Sequence, residues 1–272
     1  MSTVVHPSDS QLQTSSTSAQ PKARLPVHVH HSGSSFWIPK ATSTLRSAFE
    51  NDPVTAYMLN YLPPPARPAA LQKLFRLSNN AAIIAGGELW SASTEDTPSA
   101  PSFHAAATIF PPTTSIDNLG ARSLPSLLLS GALAPALWTI GPSRLTATMN
   151  EFSAATTPAK KATFNQGESY YYIQLIGASA AHRGKGLAPA LIRNLQERAS
   201  GEGKPIWLEA SNEGARKVYL KLGFEVVLPE IRLGVGECDV RGERAEGEDA
   251  VGVPMWPMVW WPEGSGRGSR TM

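Results

Sequence analysis

A glycine-rich basic loop between a strand and an amphipathic helix constrains this chain more than any other feature. Residues 169–177 (SYYYIQLIG) are aromatic and β-branched, which predicts a strand. Leu187, Ala188, Leu191, Ile192, Leu195 and Ala199 recur at helical spacing, with Arg193, Glu197 and Arg198 on the other face, which predicts a helix over 187–199. Arg183–Ala188 (RGKGLA) joins the two. A loop entering a helix leaves backbone N–H groups without partners, and these groups with the helix dipole favour an anion. Gly184 and Gly186 carry no β-carbon to keep a phosphate away, and Arg183 and Lys185 add positive charge. The segment therefore suits a phosphate or pyrophosphate. By itself it also reads as an ordinary turn with glycines for geometry. The spacing is wrong for a nucleoside-triphosphate loop, GxxxxGK[ST], and for a dinucleotide loop, GxGxxG.

The pattern around the loop is mixed. Residues 205–211 (PIWLEAS) predict a strand and Glu213–Leu222 a helix, with Ser211 or Asn212 as its N-cap and Gly223 as its C-cap. Further strands are predicted at 224–227 and 253–260. In the first half, Leu25–His30, Glu88–Ser93 and Ser102–Phe110 read as strands, the last two joined by a hairpin loop at 94–101. Lys40–Asn51 reads as a helix that Asp52-Pro53 ends. Val54–Tyr61 and Pro68–Leu77 are shorter helical candidates, and 113–161 is mostly helical and irregular. Gly234–Gly252 predicts a solvated loop, since 237–249 hold six acidic and two basic side chains.

Composition excludes several classes. The 272 residues carry a net charge of +2, too mild a surplus to argue for nucleic acid. The single cysteine, Cys238, forbids an internal disulfide framework, and no basic neighbour would stabilise its thiolate. Residues 1–22 are rich in Ser, Thr and Gln and have no apolar core of a secretory signal, so they read as a disordered tail and the protein as cytoplasmic. Ser123–Ser143 is uncharged and long enough to span a bilayer, but Pro125, Gly131, Pro135 and Pro142 interrupt it. One or two short buried helices are expected there, and no membrane partner. His28 and His30 share a strand face beside His31, yet no further Cys or His cluster completes a metal site, so no metal is expected.

The loop and its surroundings together resemble the GCN5-related N-acetyltransferase (GNAT) superfamily. Arg183, Gly184, Lys185, Gly186, Leu187 and Ala188 fit its motif [QR]-x-x-G-x-[GA] at every position. Asn212, Ala215, Tyr219, Gly223 and Phe224 fit N-x-x-A-x-x-x-Y-x-x-x-G-F in register. Within the superfamily, AFENDP (Ala48–Pro53), LEAS and VYLKLGF look most like the puromycin N-acetyltransferase-like branch, although the branch's usual proline near Ala180 is absent.

The resemblance implies an α/β (α+β) GNAT fold, a mixed, mostly antiparallel central sheet with helices on both faces. It implies one domain over 23–262, with a cofactor-binding core at about 165–230 and a flexible tail at 263–272. The activity implied is acetyl-CoA-dependent transfer of acetyl to a primary amine of a small molecule by direct attack. Alternatives are a protein or peptide amine as acceptor, or a CoA-binding regulatory module without turnover. The strand at Leu175–Gly177 would carry a bulge, for which Gly177 is suited, and would splay from the strand at 206–211. Leu175, Ile176 and Gly177 would then bind pantetheine through their backbone, and Arg183, Gly184, Lys185, Gly186, Leu187 and Ala188 the pyrophosphate, with Asn212 and Ala215 completing the cofactor site. Tyr219 is the expected general acid, against the plainer reading of a core tyrosine. Glu209 is either the base or a structural acceptor. Tyr172 and Gln174 are candidates for positioning the substrate, and Trp90, Phe110, Trp138 and the helices of 115–155 for the acceptor pocket. The protein is expected as a monomer or homodimer.

Overall fold

The computed structural model describes residues 26–95, 101–115, 119 and 123–264. The tail expected at 1–22, the tip of the 94–101 loop and nearly all of the 263–272 tail lie outside the described residues. One mixed, mostly antiparallel sheet organises the rest. Its strands are β1 (His28–Ser32), β2 (Glu88–Ser93), β3 (Ala105–Phe110), β4 (Tyr171–Ala178), β5 (Ile206–Ala210), β6 (Glu225–Val226), β7 (Ile231–Leu233) and β8 (Val253–Trp260). They lie in the order β1-β2-β3-β4-β5-β8-β6, with β7 also paired to β8. The β4–β5 pair is parallel; the other pairs are antiparallel.

Helices cover both faces. On one face lies α7 (Leu187–Glu202), whose Leu187, Leu191, Ile192, Leu195 and Ala199 are buried against Ile173, Ile206 and Leu208. On the other lie α1 (Ile38–Ala48) and α3 (Arg67–Ile84), where Leu45, Leu71 and Phe75 pack with Leu175. Between them runs α2 (Pro53–Leu59), opened by Pro53 at its first position and capped by the Asp52 carboxylate. Three helices cross from β3 to β4: α4 (Leu124–Leu129), α5 (Leu133–Ile140) and α6 (Pro142–Thr163). The short α8 (Glu213–Lys221) follows β5, with Asn212 as its N-cap.

The sheet departs from expectation at one point that matters for the site. Register along β3–β4 jumps from Thr108↔Leu175 to Ile109↔Ile173, so Gln174 is an extra residue. Gln174 and Leu175 consequently both face α1 and α3, while Ile173 and Ile176 face α7. The bulge is therefore at Gln174 and not at Gly177, which pairs regularly with Ala106. Glycine is needed at 177 for another reason: a β-carbon there would lie 2.6 Å from that of Ala48 on α1. Gly177→Val is expected to force α1 off the sheet and destabilise the fold by about 2 kcal/mol. Urea unfolding checks this, and an unchanged midpoint would contradict the close packing.

Other differences have local causes. The helix predicted to end at Leu77 runs on to Ile84 because the polar Ser-Asn-Asn run is satisfied internally. Asn79, fully buried, donates to Thr42 Oγ1 at 3.0 Å and accepts from Thr108 Oγ1 at 2.7 Å. The strand expected at 25–30 is the edge strand His28–Ser32. The short helices at 123–143 are present but not both buried: α4 buries no residue, and Leu124, Leu128 and Leu129 are exposed. Pro125, Gly131 and Pro135 cut the apolar run into pieces too short to present one continuous face. Among the described residues no helix is long and apolar enough to cross a membrane.

The 234–252 segment is solvated along much of its length but is anchored to the fold at several points. Gly234 N donates to Glu151 Oε1 at 2.6 Å, and Asn60 Nδ2 to the Gly242 carbonyl at 3.1 Å. Glu237 pairs with Arg144 and Glu243 with Arg67. Two of its six acidic side chains thus meet arginines far away in sequence, which local charge counting cannot see, while Glu246, Glu248 and Asp249 are exposed. Cys238, within this segment, is buried, and burial, followed by the Asp239 charge, pushes its thiol up to about 11.

Candidate active site

The site begins where the parallel pair ends. Tyr171 pairs with Ile206 and Tyr172 with Trp207, and there the β4–β5 pairing stops. The rest of β4 is bonded to β3 and the rest of β5 to β8, so the facing edges of the two strands part. A cleft of about 1290 Å³ opens between them. Gln174, Leu175, Ile176 and Gly177 line one side; Glu209, Ser211 and Asn212 line the other. Backbone groups released from sheet pairing need partners, which makes this edge a place for an extended ligand carrying amides.

At one end of the cleft lies the glycine-rich loop. Arg183, Gly184, Gly186, Leu187 and Ala188 line it; Lys185 does not. Gly184 and Gly186 have φ of +76° and +77°, a backbone that other residues adopt only with strain. A β-carbon on either would meet no atom within 4 Å, so the loop is open on that side. Gly186 is the N-cap of α7 and supplies no side-chain bond, which leaves the first-turn N–H groups for an anion. Leu187 belongs to the core through its side chain. Arg183 Nη2 donates to the Ala48 carbonyl at 2.8 Å, tying the loop to the end of α1. Next to it, His182 stacks on His104 with ring centroids 3.8 Å apart. Burial, then the neighbouring His104 and Lys185, lower its pKa and keep the ring neutral.

Tyr219 stands on the α8 side of the cleft, 9% exposed and packed against Phe224. Its hydroxyl makes no hydrogen bond among the described residues, unlike a core tyrosine satisfied by a carbonyl. Burial raises its pKa and the Asp52 charge raises it further, so the phenol keeps its proton at neutral pH. Asn212 lines the cleft, yet its side chain serves the fold: Oδ1 accepts from Ala215 N at 2.9 Å and Nδ2 donates to Asp52 Oδ2 at 3.2 Å. Ala215 lines the cleft beside it.

Asp52 is the cleft residue that sequence reasoning missed. It is 7% exposed and takes four donors: Val54 N and Thr55 N on Oδ1, the Ser211 hydroxyl and Asn212 Nδ2 on Oδ2. It thereby clasps the start of α2 to the β5–α8 turn across the cleft. Burial outweighs these donors and raises its pKa. The available signal was Asp-Pro as an N-cap and first-turn pair, which says nothing of a partner 160 residues away.

Glu209 also lines the cleft, with its side chain 4% exposed. Trp207 Nε1 donates to its Oε1 at 2.6 Å. Tyr172 and Gln174 line the cleft nearby. The remaining wall is apolar: Met58 of α2, Leu77 of α3, Leu133 of α5, Met149 and Phe152 of α6, and Met255 of β8. The three aromatics expected in the pocket are elsewhere. Trp90 and Phe110 are fully buried in the sheet, and Trp138 is 92% exposed on the outside of α5. Strand and helix pattern gives which residues are apolar, not which side of an element meets the cleft. Among the described residues no group of three or more His, Cys, Asp or Glu could hold a metal ion.

The fold, with its parted strands and glycine loop, is similar to that of GNAT acetyltransferases. Residues 154–224 match the model described as the acetyltransferase (GNAT) family. A crystal structure from Corynebacterium glutamicum, described as histone acetyltransferase HPA2 and related acetyltransferase, shares the fold. It is 23% identical, covers 87% of this chain and 96% of its own, and has a TM-score of 0.50. A polyamine N-acetyltransferase of Drosophila melanogaster is 14% identical over 87% of this chain and all of its own, with a TM-score of 0.48. Arylalkylamine N-acetyltransferase 2 of Aedes aegypti is 16% identical over 86% and 98%, with a TM-score of 0.46. No curated protein matches the chain by sequence.

Proposed function

We propose that the protein moves an acetyl group from acetyl-CoA to the primary amine of a small, largely apolar molecule by direct attack. The observation that carries this is the parting of β4 from β5. It joins an anion-binding loop at one end of the cleft to Tyr219, Glu209 and an apolar chamber at the other. The residues fit the donor. The loop has open, positive-φ glycines before an uncapped helix, and β4 offers an unpaired edge. When bound, acetyl-CoA supplies an activated acetyl thioester. Gly184, Gly186 and the first turn of α7 hold its pyrophosphate, with Arg183 adding charge, and Leu175–Gly177 hold its amides by their backbone. A backbone N–H of the same edge stabilises negative charge on the acetyl oxygen. Tyr219 holds a proton at Oη and gives it to the departing sulfur. Glu209 takes the proton that the amine nitrogen loses.

Apolar walls favour an organic amine over a charged peptide. None of the acids of 237–249 lines the cleft, so they supply no acidic groove there for a basic peptide. AFENDP, whose Asp52 joins the two sides of the cleft, supports placement in the puromycin N-acetyltransferase-like branch. The test is incubation of the purified protein with acetyl-CoA and a panel of amines, following free thiol. Turnover is expected to be highest with amines on apolar frames. Turnover only with lysine-rich peptides would overturn the acceptor class, and no thermal shift with CoA would overturn the donor.

A further inference from the structure

Lys160 stands where the cleft wall meets the outside of the molecule. It lies in the last turn of α6, and its Nζ is 3.5 Å from Glu209 Oε1 and 4.4 Å from the centroid of the Tyr172 ring. Trp207 Nε1 donates to the same carboxylate oxygen. Both partners thus hold Oε1, while Oε2 takes no partner among the described residues. On its outer side Lys160 borders a second depression of about 460 Å³, shared with Lys161, Phe164 and Glu168. Its side chain is 25% exposed, whereas that of Glu209 is almost sealed from bulk water.

We propose that Lys160 is a positioning residue for the transfer: together with the Trp207 indole it fixes Glu209 by Oε1 and leaves Oε2 for the acceptor's amine. The proposal rests on the reading of Glu209 as base. A carboxylate so nearly buried is costly unless a cation and donors satisfy it. Gripping it from one oxygen sets the direction of the other. The ammonium is itself seated on the Tyr172 ring face, which restricts where its charge can lie. In the reaction the proton leaves the amine nitrogen for Oε2, and returns to water after the amide product has gone.

Two measurements test this, one of which needs no turnover. The chain has seven tryptophans, and in 15N-labelled protein each gives one indole N–H resonance. Trp207→Phe identifies the one that reports the bond to Glu209. Lys160→Met and Glu209→Gln are both expected to move it upfield, and Lys160→Arg to leave it near its wild-type position. The second measurement is kcat/KM for 2-phenylethylamine with acetyl-CoA. Glu209→Gln is expected to lower it about a hundredfold and Lys160→Met about tenfold, with most of the latter restored in Lys160→Arg. In the Glu209→Gln background, Lys160→Met should cost nothing more, because its effect runs through the carboxylate. An equal cost of Lys160→Met in both backgrounds, or an unmoved indole resonance, overturns the positioning role alone. Wild-type kcat/KM in Glu209→Gln overturns the base reading on which it rests.

Discussion

Tyr219→Phe is expected to lower kcat about a hundredfold while acetyl-CoA binding, measured by calorimetry, stays unchanged. The surroundings of the hydroxyl set this effect. A thiolate leaving group needs a proton, and the donor must keep that proton until the carbon–sulfur bond breaks. Burial and the Asp52 charge both raise the Tyr219 pKa, so the proton is held at neutral pH. The hydroxyl makes no hydrogen bond among the described residues, so phenylalanine removes the acid without orphaning a partner. Stability should therefore change little, and kcat should fall without a matching rise in KM for the donor. Unchanged turnover would remove Tyr219 as the acid and leave it a core aromatic against Phe224.

How much of this was legible beforehand divides along a physical line. Features written in consecutive residues were readable: the strand–loop–helix unit around Arg183–Ala188, the cap of α8 to within Ser211 or Asn212, and strands β2 and β8 to the residue. Features made by residues far apart were not. Asn79 reads as a helix breaker until Thr42 and Thr108 are beside it. Glu237 and Glu243 read as solvated until Arg144 and Arg67 arrive from α6 and α3. Gly177 reads as a bulge residue until Ala48 presses on it. In the site, the loop end of the cleft was readable because it is one contiguous segment, whereas the apolar wall is assembled from helices α2, α3, α5 and α6 and strand β8. Position along the chain therefore placed Trp138 in the pocket, where geometry puts Met149 and Phe152.

Asp52 joins these two lessons and gives the second large expected effect. Asp52→Ala removes the N-cap of α2 and leaves the Ser211 and Asn212 donors without their acceptor at the cleft, an expected loss of about 3 kcal/mol. Because the clasp sets the distance between the α2 wall and the β5–α8 turn that precedes Tyr219, turnover should fall as well. Asp52→Asn keeps the shape and an oxygen for the cap, so it should cost less. The two proteins should also differ in how stability follows pH. The folded-state pKa of Asp52 is raised above the ordinary 3.8 because burial outweighs its four donors. The folded protein then binds a proton more readily than the unfolded chain, so this group's contribution weakens as pH rises through the folded pKa and is complete below 3.8. Wild type should gain stability relative to Asp52→Asn as pH is lowered through that window, measured by urea unfolding of both at each pH. A gap that instead narrows on acidification would mean that the donors outweigh burial. Asp52 would then be an ordinary low-pKa carboxylate, and its charge would act on Tyr219 from an acid that stays ionised well below pH 3.8.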